Sequence, residues 1–192
     1  MPLLIHFYSI AQTDTVNYNF DYTVMKVRGD LNNDKIEDEV VVTQDTLNEK
    51  APYQLQVFFK GLDGQNKLVA TSIKIIEPQY PEGRDGFRTG NGFSEVIINK
   101  GVLSVNAELL RGHYEHKFRF QNGNFELIGF SKVSSNGQGA ITYIDFNLIT
   151  GIKIGTIETY DTNKIISKRK EKIMIRPLPK LQDVIPLEND LY

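Results

Sequence analysis

The chain reads as an all-β protein whose antiparallel hairpins and meander form a sandwich or a rolled sheet, with little or no helix. Three observations predict this class. Polar and apolar residues alternate over short runs, as in Tyr53-Gln54-Leu55-Gln56-Val57 and Leu103-Ser104-Val105-Asn106-Ala107, the period of a half-buried strand. Asp63-Gly64 and Asn122-Gly123 separate such runs, and these pairs accept the positive φ that tight hairpin turns demand. The apolar content includes nine Tyr and eleven Phe, residues that pack well on a pleated surface.

Bulk properties set the outer bounds. A chain of 192 residues suits one domain, burying roughly 70% of its unfolded surface around a single core. The net charge of −2 with both signs well mixed gives no basic field, so no nucleic-acid partner is expected. With no cysteine, disulfides, thiolate metal sites and a cysteine nucleophile are excluded. The most apolar opening stretch, about ten residues, is too short to cross a bilayer, and no transmembrane segment is expected.

Three regions follow from composition. Residues 1–11 read as a signal-peptide remnant: Leu3-Leu4-Ile5-His6-Phe7-Tyr8 supplies an apolar run, Ser9 and Ala11 the small residues before a cleavage site, and polar Gln12-Thr13-Asp14-Thr15 follows. That reading places the protein outside the cytoplasm, periplasmic or extracellular. The alternative is a buried first strand. Residues 12–176 form a single β domain, and 177–192 an extended tail stiffened by Pro177, Pro179 and Pro186.

Within the domain, Tyr22 to Arg28 and Glu39 to Thr43 make the first hairpin. Gln44 to Pro52 is a polar loop, and Tyr53 to Phe59 and Lys67 to Ala70 make the second hairpin about Asp63-Gly64. Ser94 to Asn99 and Val102 to Leu109 flank Lys100-Gly101. Tyr114, His116, Phe118 and Phe120 alternate with Glu115, Lys117, Arg119 and Gln121, and Asn122-Gly123 returns the chain into Phe125 to Ile128. After the loop Ser134 to Gly139, Ile141 to Leu148 turns at Thr150-Gly151. Ile152 to Tyr160 and Ile165 to Ile175 then pair around Asp161-Thr162-Asn163.

The sharpest chemical signal is Gly29-Asp30-Leu31-Asn32-Asn33-Asp34-Lys35-Ile36-Glu37-Asp38. Oxygen-bearing side chains at Asp30, Asn32, Asp34 and Asp38, with the carbonyl of Ile36, follow the alternating ligand rhythm of a calcium loop, since calcium takes six to eight hard oxygens. Lys35 stands where calcium loops favour Gly, and positive φ there costs roughly 1–2 kcal/mol. A β-branched strand, Val40-Val41-Val42, leaves the loop, and Val41 stands where an EF-hand carries its bidentate Glu; an EF-hand is therefore not expected. The other reading is an Asx-rich hairpin turn that holds no metal.

These residues resemble the calcium loop of FG-GAP repeats, in which a strand enters, an acidic loop turns and a second strand leaves. The resemblance implies Asp30, Asn32, Asp34 and Asp38 as side-chain ligands and Ile36 as a carbonyl ligand to weakly held calcium, on the order of 10⁻⁴ to 10⁻³ M. The succession of this loop, Leu55 to Phe59, Phe118-Arg119-Phe120-Gln121-Asn122-Gly123, Phe125 to Gly129 and Asn147 to Gly151 is similar to a group of bacterial exported all-β proteins. That similarity implies an envelope location and lends no catalytic residue.

Other stretches carry weaker signals. His113 and His116, three apart on one strand, point to opposite faces and cannot share a metal; His116 is expected half-buried and His113 in a loop. The stretch Glu77 to Phe93, with Tyr80, Arg84, Phe87 and Arg88 among glycines and prolines, is either a contact loop or a disordered excursion. Lys168-Arg169-Lys170-Glu171-Lys172 reads foremost as edge protection. Three functions follow: a non-catalytic, calcium-stabilised binding or structural module of the bacterial envelope; an interaction or inhibitor-type module meeting a protein or glycan through 77–93; and a hydrolase of a glycan or other polymer using Asp85, Glu82 or Glu95.

Overall fold

The computed structural model describes residues 17–187. The expected signal remnant at 1–11 and the last residues of the tail lie outside them. Among the described residues there are eleven strands and no helix, arranged as two antiparallel sheets. The smaller sheet has the order β1 (Tyr22–Gly29), β2 (Asp38–Gln44), β3 (Tyr53–Lys60) and β4 (Asn66–Ser72). The larger runs from β5 (Gly92–Asn99) through β6 (Val102–Leu109), β7 (Gly112–Gln121), β8 (Asn124–Ser135), β9 (Ala140–Asn147) and β10 (Ile152–Thr159) to β11 (Ile165–Lys172). Spatial order equals chain order in both, because short turns let each strand pair with its successor.

Several strand ends differ from the sequence expectation. β8 continues to Ser135, since Gly129 to Ser135 pair with β9; the polar Ser131, Lys132 and Ser134 hid that half of the strand. β11 stops at Lys172, and Ile173 and Ile175 instead pack against the core. His113 lies in β7, not in a loop, opposite Glu108 and Val133.

The two sheets share one core. In β2, Val40 and Val42 are buried on the face that Tyr53, Leu55 and Val57 continue in β3. Facing them are Leu103 and Val105 of β6, Tyr114 and Phe118 of β7, Phe125, Leu127 and Phe130 of β8 and Phe146 of β9. Each large apolar side chain so buried contributes roughly 1.5–3 kcal/mol. At one end of β3 the Tyr53 ring meets Phe93 of β5 at 5.6 Å between centroids; at the other, Phe59 meets Phe120 edge-on at 4.8 Å and Phe125 at 6.0 Å. β3 therefore crosses the larger sheet from β5 to β7 and β8.

The sheets join where β1 lies against β5. The Val96 N–H donates to the Met25 thioether at 3.2 Å, and the backbone of Gly29 sits so close to Ile98 that a Cβ there would fall 2.6 Å from its Cγ2. At the other end the tail closes the core. Leu178, Leu181 and Val184 are buried. The Leu127 N–H donates to the Pro179 carbonyl at 2.8 Å and the Leu181 N–H to the Phe125 carbonyl at 2.9 Å. The tail thus occupies the part of the β8 edge that β9, paired only with Gly129–Ser135, leaves free.

His116 is fully buried, beyond the half-burial its neighbours in sequence imply, because it pairs with Phe130 and Val105 on the inner face. Its ring packs edge-on against Tyr114 at 5.4 Å, stacked with Phe118 at 6.4 Å and tilted against Phe130 at 5.0 Å. Burial drives its pKa from the ordinary 6.5 down to about 3. Since the unfolded chain binds a proton there that the folded chain refuses, this residue's contribution is fully present above pH 6.5 and falls as pH drops toward 3, by up to about 1.4 kcal/mol per pH unit. Urea unfolding of wild type and His116→Leu at pH 7 and pH 4.5 is expected to show a shallower loss in the variant; parallel losses would refute this assignment.

Candidate functional site

The acidic stretch forms the connection between β1 and β2, and its conformation follows from its Asx residues. Asp30 accepts the N–H of Asn33 at 2.7 Å on one oxygen and that of Lys35 at 2.9 Å on the other. Asn32 accepts the Asp34 N–H at 3.0 Å and donates its amide to Asp34 Oδ2 at 2.9 Å, while Asp34 Oδ1 accepts the Ile36 N–H at 2.8 Å. These overlapping turns require left-handed residues, and Asn33 and Lys35 have φ of 64° and 70°. Lys35 carries the strain that the missing glycine predicts.

Asp38 differs from the other acids. It is the first residue of β2 and fully buried. Its Oδ2 accepts the Leu31 N–H at 2.9 Å and its Oδ1 the Lys60 N–H at 3.1 Å, tying the acidic loop to the end of β3. Leu31, held this way, is buried in the core although it lies within a polar loop. Burial raises the Asp38 pKa; the two N–H bonds oppose that shift, and the negative charges of Asp34 and Asp30 add to it. Next to it, Glu39 pairs with Lys26 and Arg28, each at 3.1 Å, across the hairpin. Burial pushes Glu39 up, but these two partners outweigh it and its carboxyl lies below the ordinary range.

As a donor set, the predicted ligands suit calcium: Asp30, Asn32, Asp34, Ile36 and Asp38 offer only hard oxygens. A carboxylate has about four acceptor positions, so an oxygen holding one N–H retains capacity for a cation. In this conformation the side chains of Asp30, Asn32 and Asp34 are turned onto the loop's own amides, and that of Asp38 onto the amides of Leu31 and Lys60. No group of three or more His, Cys, Asp or Glu among the described residues is arranged to hold a metal ion.

The remaining candidates fall elsewhere. The stretch 77–93 is anchored along its first half: Gln79 and Tyr80 donate their N–H groups to the carbonyls of Ala51 and Lys50, and Arg84 donates to Thr46. The Arg84 and Arg88 guanidiniums lie over the Tyr80 ring, 5.2 and 4.9 Å from its centre. Tyr80, Arg88 and Phe87, the last 78% exposed, line a cleft of about 250 Å³. Glu82 and Asp85 are exposed on this loop, whereas Glu95, on β5, lines an open groove with Glu108, His113 and Glu115. The carboxylates of the hydrolase reading therefore do not share that groove.

Sequence reasoning missed Asp45, which is buried and accepts the N–H groups of Asn19, Leu47 and Asn48 at 2.9, 3.1 and 3.0 Å. The Asn19 bond does most to hold its carboxyl below the ordinary range. Its signal was the Asp45-x-x-Asn48 spacing of an Asx turn. Comparisons with protein-family models, curated protein sequences and solved structures found no match for this chain.

The two kinds of acid separate by mutation. In chelator, Asp38→Ala leaves two N–H groups without acceptors and is expected to cost about 2–4 kcal/mol. Asp38→Asn, which keeps one acceptor oxygen, costs less, and Asp34→Ala costs under about 1 kcal/mol. Equal losses for Asp38→Ala and Asp34→Ala in urea unfolding would overturn the structural role of Asp38.

Proposed function

We propose that this chain is a non-catalytic binding or structural module of the bacterial envelope whose β1–β2 loop takes calcium weakly. The observation that carries this reading is the concentration of negative charge at a pre-bent loop. Asp30 and Asp34 act electrostatically on buried Asp38, and Asn33 and Lys35 already hold the left-handed turns of a cation-wrapping loop. A divalent cation between these carboxylates offsets their mutual repulsion, an interaction strengthened by partial burial. Asp30, Asn32, Asp34, Asp38 and the Ile36 carbonyl would hold it. The export reading draws its support from the apolar opening stretch and the FG-GAP-like pattern.

A calcium ion that binds only the folded state raises stability by RT ln(1 + [Ca]/Kd), about 1.4 kcal/mol at ten times Kd. Thermal unfolding of the chain lacking residues 1–11 is expected to shift upward by a few degrees in 10 mM calcium relative to chelator. The shift should be smaller with magnesium and absent in Asp34→Ala. An unchanged wild-type melting temperature would end the calcium reading and leave the loop as an Asx hairpin turn.

A second reading has its own observation. The loop 77–93 is held in place by the 45–52 loop and presents Phe87, Tyr80 and Arg88 around one cleft. Exposed aromatic and arginine side chains on a fixed backbone are the composition of interface anchors. This favours a protein or glycan contact there.

A further inference from the structure

The last two strands stand apart from the core. No residue of β10 or β11 belongs to the core cluster, whose furthest members in the larger sheet are Phe146 and Leu148 at β9. β11 ends the sheet, pairs only with β10 among the described strands, and is exposed at all eight positions. An edge of this kind presents alternate N–H and C=O groups outward, a template for another strand. Neither proline nor a covering segment blocks it among the described residues.

Charge and shape say which strand fits. Residues 152–172 carry six Lys or Arg against three Asp or Glu, whereas the rest of the chain carries sixteen against twenty-one. The wing is positive on a negative body. In the register of β10 with β11, Lys168, Lys170 and Lys172 stand opposite Thr156, Ile154 and Ile152 and share one face. Successive lysines of this ladder are about 6.8 Å apart, the two-residue repeat of any extended strand. Ser167, Arg169 and Glu171 take the other face. There, a cleft of about 460 Å³ is lined by Thr142, Ile144, Gly155, Ile157 and Arg169, among others.

Gly155 has no local reason to be glycine. Its φ is not positive, and a Cβ placed on it would meet nothing within 4 Å. A glycine inside a strand with open space above it leaves room for another group to approach the backbone.

We propose that the free edge of β11 receives an acidic extended segment of a partner protein as an added strand. Alternate acidic side chains of that segment face Lys168, Lys170 and Lys172. A large apolar side chain on its other face reaches over Ser167 into the cleft above Gly155. A second copy of this chain does not fit, since antiparallel β11 pairing about a two-fold axis sets lysine against lysine, and like charges on facing strands repel. A flexible polyanion uses the lysines but has no use for the strand edge or for the cleft on the opposite face. The inference deepens the binding-module reading and does not depend on the calcium loop.

The test uses the full chain and a synthetic peptide alternating glutamate with valine and phenylalanine, TEVEFEVET, followed by two-dimensional NMR and amide hydrogen exchange in chelator and in calcium. The expected result is saturable shifts confined to residues 140–172, slower exchange of outward β11 amides, and affinity falling about tenfold or more between 50 and 500 mM salt. Lys168→Glu with Lys170→Glu and Lys172→Glu, all exposed positions, should abolish binding of this peptide and admit one carrying lysine in place of glutamate. Gly155→Val should weaken binding at least threefold with the salt dependence kept. Binding equal in chelator and calcium separates this inference from the metal reading. It is overturned if millimolar peptide leaves β11 unshifted, or if polyphosphate binds as well as the peptide while the β11 amides stay unprotected.

Discussion

One constraint organises the molecule: a sheet of four strands is packed against a sheet of seven. At about 4.8 Å per strand the smaller sheet is roughly 19 Å wide and the larger roughly 34 Å. Four strands cannot cover seven. The aromatic contacts of β3 with β5, β7 and β8 mark the covered half. Apolar surface of the larger sheet beyond it must be covered by something else or kept small and polar.

Both solutions are present. The tail brings Leu178, Leu181 and Val184 onto the core beside β8, and its backbone joins the sheet edge that β9 leaves unpaired. Farther out, β11 exchanges burial for charge: it buries nothing and carries Lys168, Arg169, Lys170 and Lys172 along the last edge. The crossing geometry that leaves this wing also sets the seam of β1 with β5, where Gly29 lets the backbone approach Ile98. The acidic loop stands immediately after that seam, with Asn33 beside the β5–β6 turn at Gly101. It is thus held by the packing of the sheets as well as by its own hydrogen bonds.

Asp38 shows how one residue joins fold to candidate site. Its place in the ligand rhythm makes it the ninth position of an acidic loop, yet its carboxylate is buried and spent on the amides of Leu31 and Lys60. Those bonds place Leu31 in the core and fasten the loop to β3. Asp30 and Asp34, by contrast, serve only their own turns. The loop therefore has a structural role that stands with or without a cation, and any cation binds to a frame that the sandwich has already built.

Much of this was legible in the chain because its rules are local. Period-two alternation marked β3, β6 and β7, the β-branched run Val40-Val41-Val42 marked β2, and Asn122-Gly123 and Lys100-Gly101 marked turns where positive φ is met at each of the four residues. The place of Lys35 at the position where such loops favour Gly predicted its left-handed turn. What the chain left open depended on partners remote in sequence. The second half of β8 carries Ser131, Lys132, Ser134 and Ser135, and is a strand because β7 and β9 pair with it on either side. His116 is fully buried because Phe130 and Val105 flank it across two ladders. Asp38 is structural because Lys60 is twenty-two residues away in sequence and adjacent in space. Local propensity fixes turns and faces through interactions a few residues long, whereas burial, edge and overhang arise only when two sheets of unequal width are laid on one core.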